Sequence, residues 1–190
     1  MTKSRVLVGG LAFGTGAYLG LVTGAMPVDL GIGRRVRDLG PLKVDMDAPR
    51  EVVFDVIAEA YAERPSRAVR EKVQVLERGQ DMVLAAHFTP IWGRLKATTV
   101  ETVRFTRPRR VDFRLVRGPV PHVVETFLLE EHGDRMLLTY TGELGTDLWG
   151  AGEHWGDIVA PKWESVVAES LAAVKVEAER RHTRGAATER

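Results

Sequence analysis

The sequence predicts an α+β domain built from a seven-stranded antiparallel sheet and a long C-terminal helix, with a hydrophobic helix at the N-terminus. Three patterns predict this architecture. Between residues 42 and 144, short runs of β-branched and aromatic residues are separated by turn-forming residues. From residue 159 to 178, apolar side chains recur at spacings of three and four. Residues 6–26 contain no charged side chain.

The composition excludes several classes of protein. A chain of 190 residues and 21.0 kDa holds one ordinary domain and a tail. The net charge of +1 disfavours a nucleic-acid binder, and the absence of cysteine excludes disulfides, thiolate metal sites and cysteine nucleophiles. The charge is uneven, because residues 1–40 carry five basic and two acidic side chains, a net of +3, which leaves −2 for residues 41–190.

The uncharged N-terminal segment has the length of a membrane span. As a helix its 21 residues are about 31 Å long, and a bilayer core is about 30 Å thick. We therefore predict that residues 1–26 form a single-pass anchor in the cell membrane. Gly16, Gly20 and Gly24 recur every fourth residue, a spacing that favours pairing of two such helices in a homo-oligomer. A cleaved signal peptide and a glycine-rich helix packed on the domain are the alternatives.

Residues 27–40 are predicted to be a basic linker, because they contain four glycine or proline residues besides a cluster of three arginines. The arginines either contact anionic lipid, which makes membrane lipid a partner, or are simply solvated. Since basic residues are more numerous on this side of the apolar segment, the positive-inside rule places the domain in the cytoplasm.

The domain itself is predicted over residues 41–182. A first strand at 42–46 is followed by a helix that begins at Pro49, is capped by Asp47 and ends before Pro65. Six further strands are predicted at 72–76, 82–89, 95–105, 111–116, 123–130 and 136–144. Their short connections require antiparallel neighbours.

The C-terminal helix carries one apolar stripe. Its members are Val159, Trp163, Val166, Val167, Leu171, Val174 and Ala178. The helix begins either near Asp157 or earlier, near Leu148, with a kink at Pro161. Residues 183–190 are expected to be a frayed tail.

The order of these elements resembles the helix-grip fold of the START and birch-pollen-allergen superfamily, also called SRPBCC or polyketide cyclase/dehydrase-like proteins. The resemblance rests on DAPREVVFDVI at 47–57, ETVRFTRPRRVDFRL at 101–115, VVETFLL at 123–129, HGDRMLLTYTGEL at 132–144 and the terminal helix with Trp163. It implies a curved sheet that grips the terminal helix around an elongated apolar cavity. The ligand it implies is hydrophobic, such as a lipid, isoprenoid or polyketide.

We therefore expect a membrane-tethered protein that binds a hydrophobic small molecule and uses no cofactor. The first alternative is a cyclase/dehydratase-type enzyme acting on a hydrophobic substrate in the same cavity. The second is a membrane assembly or interaction factor. Neither a nucleotide fingerprint nor a nucleophile elbow occurs in the sequence.

The candidate site residues are polar or aromatic side chains on apolar elements. His87, Glu125 and Tyr140 are the candidates for acid–base catalysis. The cavity is expected to be lined by Tyr61, His87, Arg114, Tyr140, Trp149, Trp155, Val159, Trp163 and Val167. Arg114 and Glu125 are expected to pair across neighbouring strands, either in the cavity or on the exposed face of the sheet.

Residues 146–157 contain three glycines and two tryptophans, and we predict a gate over the cavity or, alternatively, a cap on the core. His154 and Asp157 lack a third ligand, so no metal site is predicted. The arginine-rich residues 104–117 are interpreted as a solvated sheet edge.

Overall fold

The computed structural model describes residues 16, 18–26, 29–93, 95–132 and 135–188. Within these ranges, between residues 35 and 188, the chain forms seven strands and three helices. In chain order they are β1 (Arg35–Met46), α1 (Arg50–Glu59), α2 (Arg67–Arg70), β2 (Val73–Arg78), β3 (Met82–Trp92), β4 (Leu95–Thr106), β5 (Arg110–Arg117), β6 (His122–His132), β7 (Arg135–Thr146) and α3 (Trp149–Thr188).

The seven strands form one antiparallel sheet in the order β1-β7-β6-β5-β4-β3-β2. From β2 to β7 each strand pairs with the next one in the chain, because the connections are too short for any other arrangement. The helices α1 and α2 carry the chain from one edge of the sheet to the other, and β1 pairs with β7. The predicted seven-stranded sheet and long terminal helix are confirmed.

The core lies between the inner face of the sheet and α3. Alternate residues of each strand point inward, so every second side chain is buried in β6 from Val123 to Leu129 and in β7 from Met136 to Tyr140. The predicted apolar stripe of α3 supplies Val159, Val167, Leu171 and Ala178, all of which are buried. The helix packs chiefly on β1, β7 and α1, so it covers the β1 side of the sheet more closely than the β2 side.

The strand β1 begins at Arg35, inside the segment predicted to be a linker. Leu39 is buried in the core, and the pairing with β7 shifts register between Leu39 and Leu42. An edge strand tolerates the intervening glycine and proline at such an irregularity.

The three arginines of this segment form ion pairs with acidic residues around the start of α3. Arg34 binds Asp147 at 2.7 Å, and Arg37 binds Asp157 at 2.7 Å. Arg35 lies 3.5 Å from Glu153. The basic N-terminal region therefore complements acidic side chains of the same chain.

The helix α3 begins at Trp149, which confirms the earlier of its two predicted starts. The glycine-rich residues 149–157, predicted as part of a gate, are its first turns. Tertiary contacts override the low helix propensity of glycine here: the Trp149 ring lies against Gly33, and Trp155 Nε1 donates to the Pro119 carbonyl at 2.9 Å. The helix continues to Thr188, through most of the residues predicted to fray.

The prediction of a membrane anchor, and with it a location in the cell membrane, is wrong. Within the part of the chain that the structure describes, no helix is long and apolar enough to cross a bilayer. Residues 6–15 and 17 of the predicted span lie outside that part. Residues 18–22 are helical, and the chain turns at Gly24, which has a φ of +70°. Gly24 is buried against Thr98 and Gly118 of the same chain, so it is not available for pairing with a second helix.

Candidate functional site

Two carboxyl groups lie on the apolar inner face of the sheet. Glu101 of β4 and Glu125 of β6 each expose only 6% of their surface. They point inward because of strand alternation: Glu101 shares its face with Val103, and Glu125 shares its face with Val123 and Phe127. A buried carboxyl is costly unless it is hydrogen-bonded, so the partners of these two groups define the site.

Side chains of two other elements donate hydrogen bonds to the Glu125 carboxyl. Tyr140 Oη, on β7, and Trp163 Nε1, on α3, each donate to its Oε1 at 2.8 Å. Among the described residues no hydrogen-bond partner faces its Oε2. The residue opposite Glu125 on β7 is Gly142, and a Cβ at that position would lie 3.1 Å from Glu125 Cγ. The glycine leaves the space that the carboxyl side chain occupies.

Burial, together with the nearby charge of Glu101, raises the pKa of Glu125 to about 7. The hydrogen bonds from Trp163 and Tyr140 act in the opposite direction, because they favour the ionised carboxylate. Burial and the charge of Glu125 raise the pKa of Tyr140 above its ordinary value, so its hydroxyl remains a donor. Near neutral pH Glu125 can therefore either give or accept a proton.

Glu101 belongs to a second polar cluster with His87 of β3 and Tyr61, which follows α1. Tyr61 Oη lies 3.0 Å from His87 Nε2, and the two rings meet edge to face with centroids 5.8 Å apart. On the other side of the imidazole, Nδ1 lies 3.3 Å from Glu101 Oε2. This contact lacks the alignment of a hydrogen bond, and Nδ1 is buried without a partner. The imidazole thus has one unused polar atom.

Burial sets the protonation of this second cluster. It lowers the pKa of His87 to about 4 and raises that of Glu101 to about 7. Burial also raises the pKa of Tyr61, and the charges of Glu101 and Glu125 add to this effect. At neutral pH His87 is therefore uncharged. When the Tyr61 hydroxyl donates to Nε2, Nδ1 carries the proton and faces Glu101.

Between the two clusters runs β5, whose inward side chains are apolar. Phe113 lies opposite Glu125 in the register, and Leu115 lies opposite Glu101. The two acids are thus separated by two strand spacings across the sheet and by two residues along it, on the order of 12 Å. Leu115 and Thr99 are only half-buried although they point inward, so accessible surface remains on the concave side of the sheet. Phe113, which exposes 8% of its surface, and the half-buried Leu115 together form what we call the floor between the two carboxyl groups.

Several predicted site residues lie between the inner face of the sheet and α3. Tyr61, His87 and Tyr140 belong to the two polar clusters, Trp163 contacts Glu125, and Val159 and Val167 face inward from α3. The geometry therefore brings the catalytic candidates into two groups, with Glu125 and Tyr140 in one and His87 in the other.

Other predicted site residues lie elsewhere. Arg114 is exposed on the outer face of the sheet and lies opposite Val124, so the predicted pair with Glu125 does not form. Trp149 is 56% exposed and packs over the backbone at Gly33. Trp155 is half-buried at the end of the sheet, where it contacts the β5–β6 connection.

Sequence reasoning missed Glu101. Its neighbours in the strand contained the signal, because Glu101, Val103 and Phe105 occupy one face of an alternating run. A carboxylate at an apolar position of a predicted strand marks a buried polar group.

No family model matches the sequence, and no curated protein matches it. Several solved structures are similar to this chain. The ZhuI aromatase/cyclase from Streptomyces sp. R1128 is 23% identical with a TM-score of 0.56, covering 78% of this chain and 95% of that one. Norcoclaurine synthase from Thalictrum flavum, in complex with dopamine and hydroxybenzaldehyde, is 13% identical with a TM-score of 0.57, covering 78% of this chain and 88% of that one.

A third similar structure is Ara h 8.0201, which is 9% identical and has a TM-score of 0.52. The match covers 80% of this chain and 99% of that one. At these identities the likeness shows the fold: the chain has the helix-grip fold. Function is a property of the site rather than of the fold.

Proposed function

We propose that the protein binds a hydrophobic, ring-containing small molecule on the floor formed by Phe113 and Leu115. The observation that carries the proposal is the pair of buried carboxyls, Glu101 and Glu125, on either side of that apolar floor. Groups of this kind reduce stability, and they concentrate at functional sites. Ligand sites in proteins commonly combine apolar walls with a few placed polar groups.

The polar groups indicate the chemistry of the ligand. Tyr140 and Trp163 occupy Glu125 Oε1, which leaves Oε2 for a hydroxyl or carbonyl oxygen of the ligand. Phe113 and the Trp163 indole supply aromatic surface for a flat ring. A similar structure was solved with dopamine and hydroxybenzaldehyde, both of which are hydroxylated aromatic rings. An aromatic ligand with an oxygen substituent fits this site best.

A second candidate function is acid–base catalysis on the same ligand class. It is favoured by the two carboxyls, whose pKa values of about 7 allow one to be protonated while the other is ionised. In an enolisation step, ionised Glu101 takes a proton from a carbon next to a carbonyl, and protonated Glu125 gives its proton to the carbonyl oxygen. The product is the enol, and the protein regains its starting state by exchanging both protons with water.

Binding can be tested by fluorine NMR of protein that contains 5-fluorotryptophan, with 2-naphthol as the probe. We expect 2-naphthol to shift the Trp163 signal in a saturable way and to leave the exposed Trp149 signal unchanged. Leu115→Phe fills the floor and should weaken the binding roughly tenfold or more. Val116→Phe is the matched control, because Val116 is the next residue and points outward, 60% exposed. An unshifted Trp163 signal, or equal affinities for the two variants, would overturn the proposed function.

Catalysis can be tested with 2-tetralone, a bicyclic ketone, in deuterated water. If the protein is an acid–base enzyme, it accelerates exchange of the protons next to the carbonyl, and Glu101→Gln and Glu125→Gln each abolish the acceleration. If 2-tetralone binds but proton exchange next to its carbonyl is not accelerated, the proposed catalysis is refuted and the proposed ligand binding stands.

A further inference from the structure

Residues 18–26 lie across one end of the sheet, and we call this segment the strap. The backbone N–H of Thr98, on β4, donates to the Thr23 carbonyl at 3.0 Å. The ring of Tyr18 meets the Trp155 indole edge to face, with centroids 6.1 Å apart. The strap therefore joins β4 to the first turns of α3.

The strap occupies a gap that the sheet leaves open. The strand β5 ends at Arg117, which pairs with Val100, so the Thr98 amide has no partner on that strand. Thr23 takes the place that a longer β5 would fill. Gly24 then passes directly over Gly118, in the connection that follows β5.

Gly24 is the position at which this contact depends on a glycine. Its φ is +70°, a conformation that strongly disfavours β-branched residues. A Cβ at Gly24 would overlap the carbonyl oxygen of Thr98 and would lie 3.4 Å from Gly118 Cα. A larger side chain at Gly24 is therefore incompatible with the docked strap.

Beneath the strap lies the candidate ligand site. A Cβ on Gly118 would lie 3.0 Å from Leu115 Cδ1 and 3.2 Å from Thr99 Cγ2, so Gly118 contacts both side chains. Leu115 is part of the apolar floor, and the Thr99 hydroxyl interacts with the Glu101 carboxyl. A continuous series of contacts thus runs from Gly24 through Gly118 to the floor and Glu101.

We infer that the ligand enters at this end of the sheet and that the strap closes the entrance, so that it must detach before the ligand can pass. This inference rests on the proposed function. Within the residues that the structure describes, one backbone hydrogen bond, one ring contact and the packing of Gly24 join the strap to the domain. Four of its nine residues, Tyr18, Leu19, Ala25 and Met26, are exposed. Segments with so few buried contacts open at low free-energy cost. The strap can thus alternate between docked and detached states while the sheet and α3 remain folded.

The test compares Gly24→Val with Gly16→Val in the full chain that contains 5-fluorotryptophan. Gly16 is the matched control, because a Cβ there meets nothing within 4 Å. The Trp155 signal reports docking of the strap, and the Trp163 signal reports arrival of 2-naphthol. In the wild type the strap is detached in a tenth of the molecules or fewer, whereas in Gly24→Val it is detached in all of them. Gly24→Val should therefore speed the entry of 2-naphthol roughly tenfold or more. Gly16→Val should behave as the wild type, and Tyr18→Ala should give a smaller acceleration.

Each outcome decides between the two proposals. If the Trp155 signal moves in Gly24→Val but 2-naphthol reaches Trp163 at the wild-type rate, the strap inference fails and the proposed function stands. If the Trp155 signal does not move, the strap contact itself is refuted. If 2-naphthol shifts the Trp163 signal in neither protein, the proposed function fails and the inference falls with it.

Discussion

Replacing Glu125 by glutamine removes one titrating group from the interior with little change in shape. The amide oxygen of glutamine can still accept from Tyr140 and Trp163, so the variant separates the charge of Glu125 from its hydrogen bonds. The folded chain holds the Glu125 pKa at about 7, against 4.5 for an unperturbed carboxyl. Full ionisation of Glu125 in the folded chain therefore costs about 3 kcal/mol of stability.

The sign of the effect follows from proton binding. Because the folded pKa is raised, the native state binds more protons than the unfolded state between about pH 4.5 and pH 7. Stability contributed by the protonated carboxyl is therefore lost as the pH rises through about 7. The advantage of Glu125→Gln over the wild type should grow by about 2 to 3 kcal/mol between roughly pH 5 and pH 8.

Urea unfolding followed by circular dichroism at several pH values measures this difference directly. Comparing each variant with the wild type cancels the titration of His87, which weakens the fold on the acid side. Glu130→Gln is the control, since Glu130 is an exposed glutamate on the same strand. Its difference from the wild type should stay constant. A Glu125→Gln difference that is equally independent of pH would refute the reasoning.

Three further perturbations test other contacts. Asp147→Asn should lower the free energy of unfolding by about 2 kcal/mol at neutral pH, because the hydrogen bond from Arg34 holds the Asp147 pKa at about 2. The stability of the wild type should therefore fall as the pH drops from about 4 towards 2. An unchanged urea midpoint in the variant at neutral pH would contradict this. Trp163→Phe removes a hydrogen-bond donor to the Glu125 carboxylate, so it should raise the Glu125 pKa above about 7 in a carbon-13 carboxyl titration. An unchanged pKa would show that this hydrogen bond does not stabilise the carboxylate. Gly142→Ala should lower the free energy of unfolding by about 1 to 3 kcal/mol, because the alanine Cβ would lie 2.8 Å from the Val124 carbonyl oxygen. A variant as stable as the wild type would show that the site does not require a glycine at this position.

Much of the fold could be predicted because its signals are local. Alternation along 123–130 and the apolar stripe of α3 set the element types, and short connections set the strand order. The errors occurred where tertiary contacts outweigh local propensity. Residues 35–39 pair with β7 although Gly40 and Pro41 follow them directly, and residues 149–157 are helical despite their glycines.

The candidate site was less predictable because it depends on register. A shift of one residue between β5 and β6 decides whether Arg114 or Phe113 lies opposite Glu125, and it moves the arginine to the other face. Glu101 could have been found from the alternation in its own strand. The contact of Tyr61 with His87, by contrast, joins a residue just after α1 to one on β3, and no local pattern relates the two.

The central claim is that a ring-shaped ligand lies on Phe113 and Leu115 between two buried carboxyls. Intermolecular nuclear Overhauser effects between 2-naphthol and the protein test it most directly. We predict contacts from the naphthol ring protons to the Leu115 methyl groups, the Phe113 ring and the Trp163 indole. Contacts confined to exposed side chains such as Leu148 and Trp149 would contradict the claim.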